Sequence, residues 1–191
     1  MSFNRRKIGL LAGAQFFVMT ALSSIALGQD RSSSGFNAAD FRLFSPSQRA
    51  STSQPSTDES IKLKSSAFTP VHDTTSFPDA CKKGFAKQIG ERSFELANPG
   101  QPYQATDVIT QNPRLPWRRL ILGGSTPDRC IVYYEKGGIA TTRAVVVIDI
   151  SKPSGPAFVW GGIGGEDPHD LVSLVSQITD AKFQPGGPYS W

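Results

Sequence analysis

CIVYYEKGGIATTRAVVVIDI, residues 130–150, is the stretch whose reading decides the fold. It holds two β-rich runs separated by the Gly137–Gly138 pair. So short a link joins antiparallel neighbours, because parallel strands need a crossover of about a dozen residues or more. In the second run Ala144, Val146, Ile148 and Ile150 share one face, while Arg143, Val145, Val147 and Asp149 share the other. Cys130, Val132 and Tyr134 alternate with Ile131, Tyr133 and Glu135 in the same way. The pattern predicts one apolar face and one mixed face that stays partly wet.

Working outward, RRLILGG (118–124) and AFVWGG (157–162) are further β-rich runs. The turn-forming stretches STPDR and SKPSGP join them to the central pair, giving a four- to five-stranded antiparallel meander. On the N-terminal side PDACKKGFAKQIG (78–90) reads as a helix, with Cys81, Phe85 and Ile89 at i, i+4 and i+8 and Gly90 as its stop. Gly84 within it costs about 1 kcal/mol relative to alanine. On the C-terminal side DPHDLVSLVSQITD (167–180) is a second helix, with Asp167 as N-cap, Pro168 as first residue and Leu171, Leu174, Val175 and Ile178 as its stripe. Two helices with one stripe each suit one apolar sheet face, so the expected fold is a two-layer α+β domain. SFELA (93–97) reads as a further strand, and the rest of the stretch to Trp117 mainly as a long loop.

The flanks divide the chain further. Arg5, Arg6 and Lys7, an apolar stretch from Ile8 to Leu27, and small residues at Ala26 and Gly28 read as a signal peptide over 1–28, cleaved near Gly28/Gln29. The same 20-residue apolar stretch, left uncleaved, would be a membrane anchor. Residues 29–75 are rich in Ser, Thr, Gln and Pro and read as a disordered tether, with one short amphipathic patch at Phe36, Phe41, Leu43 and Phe44. The folded domain is then 76–191. Export permits a disulfide between the two cysteines, Cys81 on the first helix and Cys130 on the strand face it covers.

The full chain carries 20 Lys+Arg against 16 Asp+Glu. Loss of Arg5, Arg6 and Lys7 with the signal leaves 17 against 16, so the sequence gives no basic stripe for nucleic acid.

The stretch GGIGGEDPHDL (161–171) invites a mechanism. It lacks the Lys-Ser/Thr of a phosphate loop and the βαβ setting of a dinucleotide fingerprint, and its acids would repel an anion. Glu166, Asp167 and Asp170 are candidate metal ligands, with His169 as a nitrogen donor, but acids in a first helical turn are favoured by the dipole alone. His169 is the one histidine of the expected domain, and so the candidate base of a small hydrolase, with Cys81 as a partner if its thiol were free. Glu135 and Asp149 on neighbouring strands are a candidate carboxylate pair. Trp117, Tyr133, Tyr134, Trp160, Tyr189 and Trp191 form either core or a recognition surface. No motif assigns a family, and no cofactor is implied.

These readings lead to a secreted or periplasmic, non-catalytic binding protein whose partner is another protein or an envelope component, met through the mixed sheet face or the 98–117 loop. The alternatives are a periplasmic hydrolase centred on His169 and a scaffold held at the membrane by an uncleaved N-terminal segment.

Overall fold

The computed structural model describes residues 51–105, 112, 114–138 and 140–186. The expected signal peptide, residues 29–50 of the expected tether with the Phe36–Phe44 patch, Tyr189 and Trp191 lie outside them. The described chain is α+β, with three helices and one antiparallel sheet of six strands in sequence order. The helices are α1 (Thr57–Ser65), α2 (Asp79–Ile89) and α3 (Leu171–Thr179). The strands are β1 (Thr69–Val71), β2 (Arg118–Ser125), β3 (Arg129–Lys136), β4 (Thr142–Asp149), β5 (Ala157–Gly164) and β6 (Phe183–Pro185).

The predicted meander is β2 to β5, and β1 and β6 extend it by three residues at each edge. At the β2–β3 turn the Thr126 hydroxyl donates to Asp128 Oδ1 (2.5 Å) and accepts from the Arg129 N–H (2.9 Å). SFELA (93–97) forms no strand; Ala97 alone bridges to the β2 edge, its N–H donating to Arg118 O and its C=O accepting from the Leu120 N–H, both at 2.9 Å. Such cover leaves less unpaired backbone for another chain to dock on.

The two-layer arrangement is corrected by the core. On one face Cys130, Val132 and Tyr134 lie opposite Ile148, Val146 and Ala144 and pack with Cys81, Phe85 and Ile89 of α2. On the other face Ile131 and Tyr133 lie opposite Val147 and Val145 and pack with Leu63 of α1 and Leu171, Leu174, Val175 and Ile178 of α3. All these strand residues are fully buried. Helices therefore cover both faces, and the face expected to be wet is a second core. Its polar members, Arg143, Glu135 and Asp149, sit at the strand ends, where they reach solvent without opening the centre.

The tether is corrected as well. Residues 57–65, read as disordered, form α1, and 69–71 form β1. The Ser56 side chain caps α1 by accepting from the Glu59 N–H (3.2 Å), acids occupy its first turn, and Lys62 and Lys64 occupy its last. These end charges complement the helix dipole. No described helix is long and apolar enough to cross a membrane.

Cys81 and Cys130 form a disulfide, with Cα atoms 6.1 Å apart, that ties α2 to β3 across 49 residues. On the chain-entropy estimate such a loop closure contributes about 4 kcal/mol. Gly84 serves the same close approach. A Cβ there would lie 2.7 Å from Ile148 Cγ2 and 2.9 Å from Pro156 Cβ, so only glycine lets α2 sit this near the sheet. Gly84→Ala is therefore expected to lower the urea midpoint. Overpacking costs about 1–3 kcal/mol, which outweighs the ~1 kcal/mol gained in helix propensity. A raised midpoint would mean that α2 can lift off the sheet at no cost.

Candidate functional site

A cleft on the described surface has a mainly apolar lining. It lies between α1 and α3, holds about 450 Å³, and is walled by Leu63, Phe68, Leu171, Val172 and Val175. Ser66 and Ser176 sit on its rim, and Lys64 pairs with Asp180 at 3.5 Å. Val172 is 75% exposed, whereas Leu171, Leu174, Val175 and Ile178 of the same helix are buried. The stripe of α3 is thus turned into the core, and Val172 stands beside it facing water. Gly124 of β2 makes room at the cleft base, since a Cβ there would fall 2.7 Å from Leu171 Cδ1. The cleft has the size and lining of a binding groove, and it lacks a cluster of convergent titratable groups.

The residues of GGIGGEDPHDL are drawn into the fold. The first glycine pair lies inside β5, and Gly164 and Gly165 turn the chain at φ 92° and 83°, the conformation expected of a strand-to-helix link. The N-cap is Asp170, correcting Asp167. Asp170 Oδ1 accepts from the Ser173 N–H (2.7 Å), and Ser173 Oγ accepts in return from the Asp170 N–H (3.1 Å). Asp167 instead faces Arg143 of β4 at 2.5 Å. Glu166 is held by its backbone, its N–H donating to Gln177 Oε1 (2.9 Å). Pro168 therefore precedes the helix by three positions; the reciprocal Asp–Ser bonding at 170 and 173 outcompetes a start at 167.

The three acids and His169 are not brought together as a ligand set: no group of three or more His, Cys, Asp or Glu is placed to hold a metal among the described residues. His169 is exposed. The Cys81 sulfur is bound in the disulfide and has no thiol to offer it. Glu135 and Asp149 are separated by the register, Glu135 lying opposite Arg143 and Asp149 opposite Arg129, at opposite ends of the β3–β4 pair. Glu135 accepts instead from Arg119 Nε (2.6 Å), whose guanidinium lies 4.4 Å from the Tyr103 ring centre. Burial, then the Glu135 charge, pushes the Tyr103 phenol up. Arg118 pairs with Glu91 in the same region. Arg119, over Tyr103 and donating to Gln101 O (3.3 Å), ties this part of the 98–117 loop to the sheet end.

Of the aromatic group, Tyr133, Tyr134 and Trp160 are core, and Trp117 is half exposed. The mixed face offered as a binding surface is occupied by α1 and α3. The α1 wall of the cleft had a signal in the sequence: Ser56 followed three residues later by Glu59 is the spacing of a capping box, just ahead of Ile61 and Leu63. No protein-family model, curated protein or solved structure matches the chain.

The cap carries a pH signature. The Ser173 backbone N–H, then its hydroxyl, holds the Asp170 carboxyl below the ordinary carboxylate range. A depressed carboxyl stabilises the fold above its unfolded pKa and loses that contribution as pH falls through its folded pKa. Asp170→Ala is expected to lower the melting temperature at pH 7 by about 3–5 °C. The gap from wild type should narrow steadily as the pH drops below about 4, the unfolded carboxylate value. A gap that stays constant down to pH 2 would contradict the assignment, as would Asp167→Ala showing the larger loss.

Proposed function

We propose that this protein is a non-catalytic binding module, exported from the cytoplasm, that takes an apolar segment of a protein or an envelope component into the α1–α3 cleft. The observation that carries the reading is Val172. A large apolar side chain is three-quarters exposed on the rim of a cleft whose floor is Leu63, Leu171 and Val175. Exposed single apolar residues are ordinary, but one continuous with an apolar cleft marks a surface suited to contact. The disulfide supports an oxidising compartment, and the basic, then apolar, N-terminal sequence supports export as its route there.

The test uses a substitution that the fold tolerates. Val172→Glu places a charge on an exposed position, so its melting temperature should stay within about 1–2 °C of wild type. Immobilised wild-type protein should retain an envelope component that Val172→Glu releases, with affinity for the purified component falling at least about tenfold. Equal retention by the two proteins would remove the cleft from the account.

A further inference from the structure

We propose that residues 51–65 form a latch that undocks from the α3 side as a unit while the disulfide-linked sheet stays folded. Contacts are unequally shared among the helices. α1 contributes one buried side chain, Leu63, where α3 contributes four and α2 five. A helix of nine residues is marginal in water, so α1 keeps its shape only while docked.

Two charged contacts add to Leu63. Glu59 pairs with Arg129 at the start of β3, where both side chains are largely buried. Lys64 and Asp180 are each 57% exposed, and an ion pair so solvated contributes little.

The strap ahead of α1 is held by hydrogen bonds and buries none of its own side chains fully. Ser51 N–H donates to Gly186 O (2.9 Å), and the Gly161 N–H donates to Ser51 Oγ (2.9 Å). Trp160 Nε1–H donates to Ser53 O (3.0 Å), and Gln54 Nε2 donates to Phe183 O (2.9 Å). Residues 51–54 are Ser, Thr, Ser and Gln. A cleft of about 360 Å³ lies between this strap and Phe158, Val159 and Trp160 of β5. Few buried apolar contacts are the mark of a segment that opens below the cost of global unfolding.

Opening has a defined result. It releases the Trp160 indole N–H, breaks the Glu59–Arg129 pair and removes Leu63 from the wall of the apolar cleft. The latch thus sets how much of the α3 face is presented, and it does so whether or not a ligand occupies the cleft.

Hydrogen exchange of the ligand-free, oxidised full-length chain tests it. Amides 61–65 are expected to show protection at least about tenfold weaker than those of β3 and β4. Leu63→Ala should weaken α1 protection further while leaving β3 and β4 unchanged, and Ser56→Ala, which removes only the exposed cap, should do the same more mildly. Equal protection in α1 and in β3–β4 would overturn the latch. So would either substitution accelerating α1, β3 and β4 by the same factor. Neither outcome depends on Val172, so failure of the latch and failure of the cleft are read separately.

Discussion

From Cys130 to Tyr134 on β3, and from Ala144 to Ile148 on β4, every side chain is fully buried. Side chains alternate across a strand, so these two segments present apolar surface to both faces of the sheet at once. Neither face can be left to water. The helices, the disulfide and the added edge strands are arranged around that requirement. A sheet buried on both sides is usual where crossover helices are built into a parallel topology. Here the topology is an antiparallel meander, and the covering helices come from the segments before and after it.

The two faces are met unequally. α2 is fixed to its face by the Cys81–Cys130 bond, by the close approach at Gly84, and by Phe85 edge-on to Tyr134 with ring centres 5.2 Å apart. The opposite face is shared between α3, which brings four apolar side chains, and α1, which brings one. The apolar cleft and the weakly held latch are two results of that shortfall. α1 and α3 are both nine residues long, so the shortfall lies in apolar side chains and not in length.

Much of the fold is legible in the residues. The four central strands, the turns at 125–129 and 151–156, the existence and apolar stripes of α2 and α3 and the cysteine pairing follow from periodicity, turn chemistry and spacing. The layering does not follow, for a reason visible in RAVVVIDI. Arg143 and Asp149 give the Val145–Val147 face a polar look, yet they stand at the strand ends. The unbroken apolar run between them is the sign of burial on both sides. α1 is hidden in the opposite way, because TDESIKLKS has one apolar side chain that the core uses, and its helical signal lies in its caps and end charges. Within the 161–171 stretch the glycine turn is legible. The cap is not, since Asp167–Pro168 and Asp170 both suit a helix start, and only the reciprocal bonding with Ser173 decides between them. The cleft, built from α1 and α3, could not be anticipated without α1.

The central claim, two buried faces on one meander, is tested most directly by Val145→Ala and Val146→Ala. These are adjacent residues with side chains on opposite faces, both fully buried. Urea unfolding of the two variants should give similar losses, each of about 1–3 kcal/mol, because both methyl deletions leave cavities in a packed core. A normal loss for Val146→Ala with none for Val145→Ala would mean that the α3 side is solvated, and it would return the protein to two layers.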